Sequence, residues 1–248
     1  MNLPDLPFAL EEAMNRLRVN IKFCGNQTRK ILVTSSIPNE GKSFVSVQLW
    51  RMLAEAGTPT LMLDLDLRNS VLSSRHDMKS DGEIIGLNYY LSGMNEIDDV
   101  IYETNVENGF VIPVTNLLEN PSVLFEDPRF AELLEELSKR YRYIIVDSPP
   151  LIDVADGAMI ASLCDGTVLV VRSAYTSKKL VHRSVHQLEQ ADCTLLGMVQ
   201  NRVDVSGRRY GYGKGYGYGY GRYGYGQYGY GQYGYGRGNH QNPDEKTG

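Results

Sequence analysis

The chain has 248 residues, room for one large domain with an appendage or for two smaller domains, and its 42% hydrophobic and 22% charged content is ordinary for a soluble globular protein. No run approaches the ~20 apolar residues needed to cross a bilayer, and the opening MNLPDLPFALEE is acidic, unlike a secretory leader. The net charge of −5 is uneven: residues from Ser206 onward carry +4, leaving −9 on the first 205, an acidic body that argues against nucleic acid as a main partner.

In chain order, apolar β-branched runs alternate with helical spacing. KILVTSS (30–36) predicts a strand, and SFVSVQLWRMLAEAG (43–57) predicts a helix with apolar positions three and four apart. TLMLDLD (60–66) and GFVIPVT (109–115) predict strands, and PRFAELLEELSKRYR (128–142) a second helix. YRYIIVDS, GTVLVVRS and LLGMVQN predict three more strands. These runs are almost continuously apolar, as expected where helices cover both faces of a sheet. The alternation predicts an α/β fold, a doubly wound and mostly parallel sheet flanked by helices with right-handed crossovers, in which ligands sit at the carboxyl ends of the strands. The pattern stops near Val205. From Gly207 to Gln241 there is no aliphatic residue, only a Gly-Tyr repeat with scattered basic and polar residues. Such a segment cannot build a core and predicts a disordered tail, 206–248, on a domain spanning 1–205. Three scattered cysteines, Cys24, Cys164 and Cys193, have neither metal spacing nor a disulfide framework, and predict a reducing cytoplasm.

Three polar clusters end predicted strands. TSSIPNEGKSF, Thr34–Phe44, closes on the Gly-Lys-Ser of a GxxxxGK(S/T) phosphate loop, with Ser36 at the place of the first glycine. Such a loop surrounds phosphate oxygens with backbone N–H groups, and the following helix start adds partial positive charge. Gly41 would let the backbone approach, Lys42 would reach the β- and γ-phosphates, and the Ser43 hydroxyl would ligate Mg2+. Ser36, Pro38, Asn39, Glu40 and Phe44 complete the candidate nucleotide-binding set. The plain alternative is an ordinary strand-to-helix turn.

LMLDLDLR, Leu61–Arg68, puts Asp64 and Asp66 two apart on one strand, hence on one face. Beside a phosphate-bound Mg2+, one can serve as base toward an attacking hydroxyl while the other holds water on the metal. Otherwise one caps a helix and the other is solvated. YRYIIVDSPP, Tyr141–Pro150, runs into Asp147 before Ser-Pro-Pro halts the strand, the form of a second metal-side carboxylate. Many parallel strands end in Asp, so this motif is weak alone. The three in this order point to nucleotide binding.

These three stretches resemble the Walker A, A′ and B motifs of the bacterial tyrosine kinases, ATPase-derived kinases of capsule and exopolysaccharide production related to the MinD and ParA ATPases. The resemblance spans roughly residues 8 to 205 and extends to EEAMNRLRVNIKF, GLNYYLSG and ENPSVLFEDPRF. It implies ATP:protein-tyrosine phosphoryl transfer with ATP and Mg2+, Lys42 and Asp64 being catalytic and Ser43, Asp66 and Asp147 serving the metal. It places Asn201, in GMVQNRVD, on the adenine edge. It further implies a cytoplasmic protein held at the inner face of the membrane by a separate membrane-embedded activator, or chain-length determinant, together with a homo-oligomeric ring and a protein-tyrosine phosphatase. Two departures stand out. Glu12, Asn15 and Arg18 occupy the family's Glu-x-x-Arg-x-x-Arg of ring assembly, and Asn69-Ser70 follows Arg68 where Lys/Arg-Pro is usual.

Eleven tyrosines punctuate the tail: Tyr210, Tyr212, Tyr216, Tyr218, Tyr220, Tyr223, Tyr225, Tyr228, Tyr230, Tyr233 and Tyr235. On composition they make a self-associating low-complexity segment. Beside kinase-type motifs they become candidate phosphoacceptors. A non-kinase MinD/ParA-like ATPase switch is the alternative function, although its loops commonly begin Lys-Gly-Gly where this one begins Thr-Ser-Ser. An inactive scaffold that assembles through the tail is a third.

Overall fold

A computed structural model describes residues 1–70, 72–79, 82–117, 121–152 and 155–204. The expected disordered tail and its eleven tyrosines lie outside the described residues. Along the chain come α1 (Phe8–Phe23), β1 (Lys30–Ser35), α2 (Lys42–Glu55), β2 (Thr60–Asp64), α3 (Leu72–Arg75) and α4 (Leu87–Leu91). A 3-10 turn (Ile97–Val100) leads into β3 (Tyr102–Glu103) and β4 (Gly109–Ile112). Then follow α5 (Ser122–Glu126), α6 (Pro128–Arg140), β5 (Tyr143–Asp147), α7 (Asp156–Ala161), β6 (Gly166–Arg172), α8 (Lys178–Gln190) and β7 (Leu195–Asn201).

The strands form one sheet in the order β3-β4-β2-β5-β1-β6-β7. Every neighbouring pair is parallel except β3 with β4. The chain thus leaves β1 toward β2 on one side, and β6 lies on the other. The carboxyl ends beside this reversal are where such folds bind ligands. Register makes the point concrete: Asp147 lies opposite Val33 on β1 and opposite Asp64 on β2, so two of the motif carboxylates are level with each other.

Alternation along each strand explains the two cores. Leu32, Leu61, Leu63, Ile144, Val146 and Leu169 face one layer, packed with Phe130, Leu133 and Leu137 of α6 and Ile160 of α7. Ile31, Val33, Met62, Ile145, Val168 and Val170 face the other, packed with Val45, Leu49, Trp50 and Leu53 of α2. Met14 and Ile21 of α1 join that second layer, so α2 is covered on both sides and is buried along most of its length. Trp50 is fully buried, and its indole N–H is satisfied by the carbonyls of Thr60 and Phe110, both at 3.0 Å.

Helix starts differ in a way that bears on the site. Asp127 caps α6 by accepting from the Arg129 amide, and Ser177 caps α8 by accepting from Leu180. Helix α2 begins after Gly41 with no side-chain cap bond and no acidic residue in its first turn. Its N-cap is a glycine, so no cap side chain stands between its first N–H groups and an anion at the helix start.

Candidate active site

The loop between β1 and α2 is tied down from outside. The Thr34 hydroxyl donates to the Pro149 carbonyl at 2.9 Å, and Ser36, wholly buried, accepts from the Ser184 hydroxyl of α8 at 2.9 Å. Glu40 is also wholly buried. One of its carboxylate oxygens accepts from the Ile37 amide at 2.8 Å, and the other accepts from the Arg172 amide at 3.0 Å and from the Thr176 hydroxyl. The Asn201 amide donates to the Glu40 carbonyl at 2.9 Å. The turn itself needs left-handed backbone at Asn39 (φ 66°) and Gly41 (φ 97°). The dihedral favours glycine at position 41, and a Cβ there would stand 2.1 Å from Asn201 Nδ2 and displace that amide.

The lysine and the carboxylates meet at the start of α2. Lys42 Nζ lies 2.6 Å from Asp66 Oδ2, 3.8 Å from Asp147 Oδ1 and 3.3 Å from the Ser43 hydroxyl. The Ser46 hydroxyl donates to Asp147 Oδ1 at 3.1 Å. Asp64 Oδ1 accepts from the Asp66 amide at 3.1 Å, and its Oδ2 accepts from the Ser70 hydroxyl at 2.5 Å. β2 ends at Asp64, so the turn beyond the strand, not strand alternation, brings Asp66 beside it. Asp64, Asp66 and Asp147 are all buried.

Burial and neighbouring charge alter the proton affinities of Asp64, Asp147 and Lys42. Burial, followed by the nearby charge of Asp147, pushes the Asp64 carboxyl up to about 7. Burial also raises Asp147, against the pull of Lys42. For Lys42 burial favours the neutral amine, but Asp147 and Asp66 together outweigh it and hold the ammonium charged above its ordinary value. A carboxylate with a raised proton affinity beside a fixed cation suits proton uptake from a hydroxyl.

Among the described residues, no three His, Cys, Asp or Glu side chains are grouped to hold a metal ion by themselves. That fits Mg2+, which keeps much of its water and is commonly bound through one or two carboxylates plus substrate phosphates. The uncapped helix start, the Ser43 hydroxyl beside Lys42, and Asp66 and Asp147 within reach of the same ammonium form a donor set fit for a magnesium-chelated triphosphate. A separate cleft of about 400 Å3 at the β3 edge, lined by Met1, Met78, Tyr102 and Val111 among others, contains none of these residues.

Fold and loop together define a phosphate-loop nucleotide-binding protein, and the family model described as "AAA domain" matches residues 29–199. The tyrosine-protein kinase CpsD of Streptococcus agalactiae is 40% identical over 201 residues, covering 81% of this chain and 87% of that protein. The kinase domain of Escherichia coli tyrosine kinase ETK superposes with a TM-score of 0.74 at 28% identity, covering 87% of this chain and 88% of that one. The septum site-determining protein MinD complexed with Mg-ADP, from Pyrococcus horikoshii, superposes with a TM-score of 0.61 at 27% identity, covering 73% of each chain. The chain belongs to the bacterial tyrosine-protein kinases, on the fold they share with MinD-type ATPases.

The structure brings Lys42, Ser43, Asp64, Asp66 and Asp147 together, with Gly41 and Asn201 at the loop's rim. Ser36 and Glu40 turn their side chains inward, leaving only their backbone for a ligand. Pro38 is exposed at the loop's outer turn, and Phe44 packs partly buried against the α2 layer. Sequence reasoning does not reach Ser46, whose hydroxyl holds Asp147, and marks Ser70 only as a departure after Arg68, without its hydroxyl's contact with Asp64. The i, i+4 step from Lys42 to Ser46 along α2 is the one available signal for Ser46. Arg68 pairs with the buried Asp156 at 2.8 Å, a partner 88 residues away that no local motif marks.

Proposed function

We propose that this tyrosine kinase transfers the γ-phosphoryl group of Mg-ATP to tyrosines of its own C-terminal segment, Tyr210 to Tyr235, and through that modification regulates capsule or exopolysaccharide synthesis. The observation that carries the reading is the meeting of Lys42, Asp64, Asp66 and Asp147 at an uncapped helix start. Magnesium-bound ATP supplies an activated phosphoryl group whose charge is partly neutralised by the metal.

The chain supplies the rest. Backbone N–H groups of the loop and the start of α2 orient the phosphates. Lys42 exchanges its contact with Asp66 for phosphate oxygens and stabilises charge on the transferring group. Ser43 would hold the metal, with Asp66 and Asp147 beside Lys42 placed to hold its water. As the tyrosine oxygen bonds to phosphorus, the bridge to ADP breaks and Asp64 accepts the hydroxyl proton. A tyrosine with a pKa of about 10 gives up its proton late, so Asp64 assists rather than initiates. Asn201, fixed on the Glu40 carbonyl beside the loop, would border the adenine.

No helix among the described residues is long and apolar enough to cross a membrane. On the family resemblance, the kinase would work at the inner membrane face beside a separate membrane-embedded activator, in a ring that a phosphatase resets. Incubation with Mg-ATP followed by phosphotyrosine detection tests the reading. Labelling is expected in the parent and lost in Lys42→Met and Asp64→Asn. Phosphate release without labelling would favour the MinD-type switch, and neither signal would leave a scaffold.

A further inference from the structure

Asp64 is the proposed base, yet a substrate cannot reach it as it stands. Only 1% of the residue is exposed. Its Oδ1 is fixed by the Asp66 amide at 3.1 Å, and its Oδ2 accepts the Ser70 hydroxyl at 2.5 Å. A tyrosine hydroxyl must come within about 2.6–3.2 Å of a carboxylate oxygen to pass its proton. Ser70 already stands at that distance.

The turn that carries Ser70 is latched. Arg68 Nε donates to Asp156 Oδ2 at 2.8 Å, and Asp156, 1% exposed, is itself held by the Ser122 hydroxyl at 2.5 Å. The Asn69 amide donates to the Asp66 carbonyl at 3.0 Å and to Asp66 Oδ1 at 3.2 Å. By contrast, Asp64 needs no help from Ser70 to be oriented. It closes a central strand and has a backbone amide on its other oxygen.

Resting on the assignment of Asp64 as base, we propose that Ser70 is a specificity-determining residue whose hydroxyl holds the acceptor position on Asp64 Oδ2. An incoming tyrosine must displace it, and the turn from Leu67 to Ser70 must lift, before phosphoryl transfer. Ser70 is half-buried, so its hydroxyl can pass to water when the turn moves. A residue with no side-chain donor at position 70 would leave Oδ2 uncovered. The Asn69-Ser70 departure thus restricts the acceptor side of the reaction and leaves the phosphate loop untouched.

Steady-state kinetics of the full chain, with a synthetic Glu-Tyr copolymer as acceptor, tests this. Ser70→Ala is expected to lower KM for the copolymer about tenfold, the lower range for losing a hydrogen bond to a charged group, with KM for ATP unchanged. Ser70→Thr, which retains a hydroxyl, is expected to remain near the parent. An unchanged copolymer KM or a lowered kcat in Ser70→Ala would overturn the inference, as would phosphoserine at position 70 of the parent. Undiminished copolymer labelling by Asp64→Asn would remove the base assignment and this inference with it. A normal loss in Asp64→Asn beside an unaltered Ser70→Ala would remove the inference alone.

Discussion

Glu40 and Asp64 are both buried carboxylates, held in opposite ways. Glu40 is satisfied by two backbone amides and a hydroxyl, and it ties the phosphate loop to the turn after β6. Replacing it with alanine leaves those amides unpaired, a cost of about 1–3 kcal/mol, and frees the loop. Glu40→Ala is expected to lower Tm and to weaken ATP binding by about tenfold or more, read by calorimetry. Asp64 is instead strained by burial and by Asp147, with its pKa about 7 in the folded chain against about 3.9 when unfolded. Between those values the native state keeps a proton that the unfolded state has lost, so stability falls as pH rises from 4 to 7. The full cost, on the order of a few kcal/mol, applies above pH 7. Denaturant melts of the nucleotide-free protein should therefore show a downward slope across that window, shallower in Asp64→Asn. An identical slope in the variant would refute the assignment. In sequence, Glu40 and Asp64 look alike, as acids near a strand end. What separates them is long-range: residues 132 and 136 positions away satisfy Glu40.

At the scale of elements, α6 and α2 divide stability from function. Phe130, Leu133 and Leu137 of α6 pack on the sheet face opposite α2, and Phe130 is wholly buried. Phe130→Ala is expected to cost about 3–5 kcal/mol of stability while leaving ATP affinity within twofold, measured by melting and by titration. A comparable loss of affinity would mean that the two layers are coupled. The strands β1, β2, β4, β5 and β6 are legible in sequence because helices cover both faces, which makes each a mostly buried apolar run, whereas the edge strand β7 is legible from its apolar residues although none of them is buried. β3 is not legible. It is two residues long, partly exposed and defined only by its antiparallel pairing with β4. The family resemblance, not periodicity, points to α1. There Asn15 accepts from Arg18 within the helix at 3.4 Å, in place of a second arginine. Asp64 and Asp147 were legible because each ends a strand and register does the rest, whereas Asp66 was reached through its motif and lies in the turn beyond β2. The Asp64–Asp147 pairing follows from β2 lying beside β5.

For the whole molecule, the sequence divides its charge between an acidic body and a basic tail. Each phosphotyrosine adds about −1.5 to −2 charges, so two or three would cancel the tail's +4. In the proposed ring, heavy phosphorylation is then expected to repel the tail from acidic neighbouring subunits and to loosen the assembly, seen as later elution in size-exclusion chromatography after ATP treatment. An unchanged elution volume despite multiple phosphates would remove that switch. Upstream of all of it stands the proposed phosphoryl transfer from one magnesium-bound triphosphate to the tail tyrosines, directed by Lys42, Asp64, Asp66 and Asp147. Mass spectrometry of the purified chain after Mg-ATP treatment tests it most directly. Phosphoryl groups mapped between Tyr210 and Tyr235 in the parent, and absent from Lys42→Met and Asp64→Asn, are expected. A parent that consumes ATP while every tail tyrosine stays unmodified would contradict it.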